Sequence, residues 1–233
     1  MALIELNQVS KIYDETIVPI NAVDNVDLKI EKGEFTAIVG PSGSGKTTML
    51  NLIGGLDQPT DGKITVDGTD ISTLKPDALI NFRLHHIGFV FQAYNLIPVF
   101  TAKENVEFIM LLQNISKAER EKRAIEFLQA VGLQDRINSK PTELSGGQQQ
   151  RVAVARALAS TPSFVLADEP TANLDSVSAE SLLDLMEDLN RKHNMTFVFS
   201  THDQRVIKRA HRVVTLRDGR IESDEIQNEL VAQ

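Results

Sequence analysis

The sequence predicts an α/β fold: a largely parallel sheet with helical crossovers, built around a loop that cradles phosphate. Three observations predict it. Short apolar runs at Phe35–Val39, Ile87–Gln92, Phe164–Ala167 and Thr196–Phe199 read as buried strands. Helical patterns alternate with them, such as the Leu182, Leu183, Met186, Leu189 stripe between the last two. Alternating strand and helix implies parallel strands joined by right-handed crossovers. The stretch Gly40-Pro41-Ser42-Gly43-Ser44-Gly45-Lys46-Thr47-Thr48 matches G-x-x-x-x-G-K-S/T directly after the first of these strands.

The elements follow in order. Residues 2–9 are apolar-rich and strand-like, and Lys11 to Asp14 is polar. Val26, Leu28 and Ile30 alternate with Asp27, Lys29 and Glu31, the period of a half-buried strand. Glu31 to Glu34 turns the chain into Phe35–Val39. A helix begins by Thr48 and ends at Gly54-Gly55. Gln58 to Gly62 is a turn, Lys63 to Gly68 a short strand, and residues 76–86 form a weak helix. Pro98 interrupts the chain after Gln92. Residues 101–159 are mostly helical, with a capping box at Ser116-Lys117-Ala118-Glu119 and a stripe of Ile125, Leu128 and Val131 closed by Gly132. They read as a helical insert. Val213 to Ile221 is a hairpin turning on Asp218-Gly219, and the last dozen residues are polar and expected to fray. There is no internal repeat.

The bulk numbers narrow the function classes. A chain of 233 residues with 42% hydrophobic content can bury a sizeable core. With no cysteine, disulfides and thiolate metal sites are excluded. The net charge of −8 argues against binding nucleic acid through a basic field. No secretory signal is expected at Met1 to Glu5, and no apolar run approaches the roughly 18 residues of a membrane span. His85, His86, His193 and His211 lack metal-ligand spacing and read as surface residues.

The glycine loop makes chemical sense. Gly43 and Gly45 let the backbone turn and present N–H groups to phosphate oxygens. The following helix N-terminus adds donors and partial positive charge. Lys46 is expected to reach the terminal phosphates, and the Thr47 hydroxyl to ligate Mg²⁺. Asp168 and Glu169 end an apolar strand. Ligands gather at the carboxyl ends of parallel strands, which places Asp168 beside the loop as a Mg²⁺ holder and Glu169 near an attacking water. Leu144-Ser145-Gly146-Gly147-Gln148 precedes a strong helix former. It reads either as a second anion site or as an ordinary helix cap.

This pentapeptide resembles the signature motif of ABC-transporter ATPases. Beside it, Gly40–Thr48 is similar to the family's Walker A motif and Phe164–Asp168 to its Walker B motif. Glu169 matches the catalytic glutamate, Gln92 the Q-loop glutamine, and Asn173-Leu174-Asp175 the D-loop. His202 matches the switch histidine and Tyr13 the aromatic that stacks on adenine. The resemblance runs from about residue 3 to about residue 221. Ile87–Pro98, Leu144–Arg151 and Leu166–Thr171 further resemble the lipoprotein-releasing and macrolide-efflux subfamily, with a cell-division ATPase as a cousin.

The resemblance implies a P-loop NTPase fold with a RecA-like parallel core, an antiparallel β subdomain and a helical insert. Within a single domain over 1–233, core and β subdomain would span 1–92 and 160–225, the helical part 93–159 and a polar tail 226–233. It implies ATP and Mg²⁺ as ligands. Glu169, His202 and Lys46 would be catalytic, and Thr47, Gln92 and Asp168 would hold the metal. Tyr13, residues 40–48, Gln92 and residues 145–148 would contact ATP. Asn173, Leu174 and Asp175 would serve the dimer contact. It implies a head-to-tail homodimer, with each ATP between one chain's loop and the other chain's Ser145 to Gln148. It also implies an integral membrane permease as partner, a place on the cytoplasmic face of the cell membrane, and no direct nucleic-acid binding. The alternatives are an ATPase that regulates a membrane protein without transport, and one acting on nucleic acid or ribosomes. Substrate and transport direction are not legible.

Overall fold

The computed structural model describes residues 2–14 and 19–227. It contains two sheets. The smaller is antiparallel in the order β2-β1-β4-β5, from β1 (Ile4–Tyr13), β2 (Ile20–Ile30), β4 (Asp61–Val66) and β5 (Thr69–Asp70). The larger follows the order β10-β9-β3-β8-β7-β6. Its strands β3 (Phe35–Val39), β6 (Ile87–Val90), β7 (Phe164–Asp168), β8 (Thr196–Ser200) and β9 (Arg212–Arg217) pair in parallel, and β10 (Arg220–Ile226) closes one edge antiparallel. The helices are α1 (Lys46–Ile53), α2 (Pro76–His86), α3 (Ala102–Leu112), α4 (Lys117–Ala130), α5 (Gly146–Ala159), α6 (Ser176–His193) and α7 (Gln204–Arg209).

The apolar runs are strands because both their faces are covered. Phe164, Leu166, Val198 and Ile38 pack into one cluster with α1, α2 and the small sheet. Val165, Ala167, Phe197 and Phe199 point the other way, into a cluster with α3, α4, α5 and α6. A period-2 backbone sends neighbouring side chains to opposite faces, so a fully buried strand must be apolar at every position. Met49, Leu50, Leu52 and Ile53 of α1 are buried, which wedges the helix after the glycine loop between the two sheets.

Several expectations are corrected. β1 continues to Tyr13, beyond the expected end at residue 9, because pairing with β2 on one side and β4 on the other carries the polar stretch. β6 stops at Val90, leaving Gln92 in the following loop. α1 begins at Lys46, ahead of Thr48. Ser116 caps Glu119 N, but the reciprocal bond of a capping box is absent there; full boxes lie at Thr101 with Glu104 and at Ser145 with Gln148. Residues 222–226 are not frayed: they lie on β10, where residues 223–226 pair with β9, anchored by Arg212 to Asp224. Residues 228–233 of the expected tail lie outside the described residues, as does Met1. His86 and His211 are half-buried rather than surface residues, His86 stacked on Phe82 and His211 beside Phe35. Among the described residues no helix is long and apolar enough to cross a membrane.

Phe35 lies at the centre of an aromatic group, with ring centroids 4.6 Å from Phe199 and 5.7 Å from Phe197. Phe35→Ala is expected to cost about 3–5 kcal/mol by leaving a cavity beneath β3. A denaturant titration should show a lower midpoint at unchanged slope.

Candidate functional site at the strand ends

Strand register builds the site. Ile38 of β3 pairs with Ser200 of β8, and Ser200 pairs with Asp168 of β7. Three strands therefore end level, side by side. Thr201 N donates to Ile38 O at 3.1 Å, and Glu169 N donates to Ser200 O at 2.9 Å, extending the alignment one residue into the loops. The loop after β3, Asp168 at the end of β7 with Glu169 after it, and His202 after β8 must emerge on the same edge.

The glycine loop leaves β3 at Gly40 and enters α1 at Gly45. Gly45 has φ of 100°, and a Cβ there would lie 2.1 Å from Ala22 O. Only glycine fits against β2 at that point. Gly43 also has positive φ, but a Cβ on it would meet nothing within 4 Å, because it faces the open cleft. No side chain caps α1, so its first N–H groups remain available to an anion. Lys46 Nζ donates to Gly40 O at 2.9 Å and Pro41 O at 3.0 Å, which holds the ammonium over the loop with a third donor to spare.

These residues wall a cleft of about 800 Å³, together with Tyr13, Ile20, Ala22, Gln92, Glu169, His202 and Asp218. Ser44 does not line it; it is buried beneath the loop, where its carbonyl accepts from Gly219 N at 3.1 Å. Asp168 sits behind the wall and reaches the cleft through Thr47, whose Oγ1 donates to Asp168 Oδ1 at 3.3 Å. A hydroxyl and a carboxylate, with the Gln92 amide on the same cleft, form a hard oxygen donor set suited to Mg²⁺.

Glu169 has φ of 45°, a strained backbone for a residue with a side chain. Its carboxylate is held from both sides. Oε1 lies 2.6 Å from His202 Nδ1, and Oε2 accepts from Thr201 Oγ1 at 3.1 Å. The glutamate side chain is 15% exposed and the histidine 76%, so the acid is sheltered behind an imidazole that faces solvent. With Nδ1 bonded to Glu169, Nε2 is left free. Tyr13 stands on the cleft wall with its hydroxyl donating to Asp57 Oδ2 at 2.7 Å and the Lys11 ammonium 4.9 Å from its ring centre. Burial, and then the Asp57 bond, hold the Tyr13 phenol above its usual range.

Ser145, Gly146, Gly147 and Gln148 line no part of this cleft. In this chain they close on themselves: Ser145 Oγ accepts from Gln148 N at 3.3 Å, and Gln148 Oε1 accepts from Ser145 N at 3.0 Å. The D-loop residues divide by role. Asn173 Nδ2 donates to Gln92 O at 3.0 Å, Leu174 packs into the helical core, and Asp175 caps α6 by accepting from Ser178 N. Asp203 could be read as a cap of the following helix, and it caps α7, but sequence reading gave no role to Thr171, Thr201, Lys11 and Asp57. Each is an ordinary polar residue beside a motif, and only folding shows what it touches.

Comparison with known proteins agrees with this geometry. The family described as ABC transporter matches residues 23–172. An ABC transporter ATP-binding protein of Bacillus subtilis, YvrO, is 48% identical over 223 residues, covering 96% of this chain and 97% of that protein. The macrolide export ATP-binding/permease protein MacB of Hyphomonas neptunium is 47% identical over 231 residues, which are 99% of this chain but 36% of the longer relative. The solved dimer of the ATP-binding cassette MJ0796 in a post-hydrolysis state with ADP and Pi superposes with a TM-score of 0.89 at 45% identity, over 97% of this chain and 100% of that one. MJ0796 belongs to Methanocaldococcus jannaschii. By these matches and by its own cleft, the chain belongs to the ABC transporter family and is an ATPase of that family.

Proposed function

We propose that this chain is the ATP-driven subunit of a transporter of the lipoprotein-release or macrolide-efflux type. On this reading it is a homodimer that closes around two ATP molecules and works on a membrane permease from the cytoplasmic face. The observation that carries the proposal is the separation of the two glycine-bearing helix starts. The loop at Gly40–Thr48 shares its cleft with Glu169 and His202, whereas Ser145–Gln148 lines no part of it. One chain thus presents half of two sites, and a two-fold dimer completes both.

The residues divide the work as follows. Tyr13 stacks on the base. The N–H groups of residues 43–48 and the Lys46 ammonium hold the β- and γ-phosphates. Thr47, Asp168 and Gln92 are the oxygen donors for Mg²⁺, which when bound neutralises phosphate charge. Glu169 takes a proton from the attacking water, and His202 faces the γ-phosphate while keeping the glutamate in place. Ser145, Gly146, Gly147 and Gln148 cover the γ-phosphate of the partner's ATP. The cap leaves them donors for that: Ser145 Oγ only accepts in it, so its O–H is free to donate, and Gln148 takes part through Oε1, not its amide nitrogen. Asn173 joins the dimer contact to the Gln92 loop, with Leu174 and Asp175 holding the turn. Losing the γ-phosphate removes the charge that joins the two positive helix ends, and the dimer reopens.

Two relatives support the finer assignment. MacB of Hyphomonas neptunium bears the name of an export ATP-binding/permease protein, and the matched residues are 36% of its length. MJ0796 has been solved as a dimer. Co-purification from detergent-solubilised membranes should yield a polytopic partner with a large extracytoplasmic domain; recovery with ribosomes or nucleic acid alone would contradict the reading.

Glu169→Gln is expected to lower turnover roughly 10²–10⁴-fold while ATP still binds, with dimers accumulating in size-exclusion chromatography. Undiminished turnover would remove Glu169 from the chemistry. Lys46→Ala should instead weaken nucleotide binding itself, measured by fluorescent ATP titration. Full-strength binding in that variant would contradict the role given to the loop.

A further inference from the structure

Glu169 and His202 come from the ends of different strands, yet their side chains meet at 2.6 Å. Two loops must therefore be held in register beyond the last sheet hydrogen bond. Residues 169–171 leave β7 and residues 201–203 leave β8. Three side-chain contacts join them. Thr201 Oγ1 donates to Glu169 Oε2 at 3.1 Å, His202 Nδ1 meets Glu169 Oε1, and Thr171 Oγ1 donates to Asp203 Oδ2 at 2.6 Å. The third contact touches neither the glutamate nor the histidine, but it brackets both.

The Thr171–Asp203 bond has the features of a fixed latch. Thr171 is buried at 1% exposure. Asp203 is itself immobilised. Its Oδ1 accepts from Arg205 N at 2.9 Å and Arg205 Nε at 3.0 Å, and its own N–H donates to Thr201 Oγ1 at 3.0 Å. The guanidinium bonded to it, then the Thr171 hydroxyl, hold the Asp203 carboxyl at about 2, so it accepts as an anion throughout the neutral range. A plainer role for Asp203 is the cap of α7, made through Oδ1. The Thr171 bond uses Oδ2, so the cap does not require it. The strained φ of 45° at Glu169 persists only where surrounding contacts hold it.

We propose that Thr171 is a positioning residue for hydrolysis, latching through Asp203 the loop that carries His202 to the loop that carries Glu169. The inference rests on the catalytic roles proposed above for that pair. Thr171→Val removes the hydroxyl with little change in volume, and Thr171→Ser keeps the donor.

The test is single-turnover phosphate release from ATP, with nucleotide affinity and melting temperature measured in parallel. Thr171→Val is expected to slow release roughly tenfold at unchanged ATP affinity, with Thr171→Ser near wild type. In a His202→Ala background Thr171→Val should cause no further loss, because the latch then has nothing to position. Wild-type release by Thr171→Val, or an equal fold-loss with and without His202, overturns the latch while leaving the catalytic pair in place. Undiminished release by His202→Ala overturns the catalytic reading and the latch together. Should Thr171→Val fail to fold, Thr171→Ala offers the same comparison with less bulk to accommodate.

Discussion

The level ending of β3, β8 and β7 is the constraint on which the rest depends. Parallel pairing places Ile38, Ser200 and Asp168 in one row, and backbone bonds from Thr201 and Glu169 carry that row past the strands. A slip of one residue in any of them would turn the apolar side chains to the wrong faces and separate the Glu169 carboxylate from His202. The aromatic packing of Phe35, Phe197 and Phe199 holds the register from below. Core and site are thus one construction: the side chains that exclude water beneath the sheet set the spacing of the polar groups at its edge.

A second set of contacts ties the cleft to the surface that lies outside it. Asn173 bonds the Gln92 carbonyl, and the Tyr94 hydroxyl donates to Asn173 O at 3.4 Å. Gly147 packs against Ser178 so closely that a Cβ would lie 2.9 Å from it. Gln150, fully buried on α5, donates to Phe91 O and Pro170 O, the residues next to Gln92 and Glu169. The Gln92 loop, the turn after Glu169 and the start of α5 are therefore joined by direct contacts. A displacement at one has a short, packed route to the others.

Legibility followed range. Val26, Leu28 and Ile30, the apolar strands and the Asp218-Gly219 turn were readable because each depends on local pattern or backbone preference. Asp218 and Gly219 both adopt positive φ, as a two-residue hairpin turn of this type requires. The length of β1 and the pairing of residues 223–226 were not readable, since strand partners, rather than the segment's own polarity, sustain them. The Tyr13–Asp57 and Thr171–Asp203 bonds span 44 and 32 residues, and no spacing rule reaches so far.

By itself the sequence determined the nucleotide-binding chemistry. A glycine loop before Lys46-Thr47, and an apolar strand that ends at Asp168 and is followed by Glu169, carry the residue types that suit phosphate and a hard cation, and that pattern is local. Tertiary structure decided which groups share a cleft. It brought Thr47 to Asp168 and His202 to Glu169, and it left Ser145–Gln148 outside, capping its own helix. The reason is physical: residue chemistry is local, but proximity between distant segments is set by sheet register and core packing, which exist only once the chain has folded.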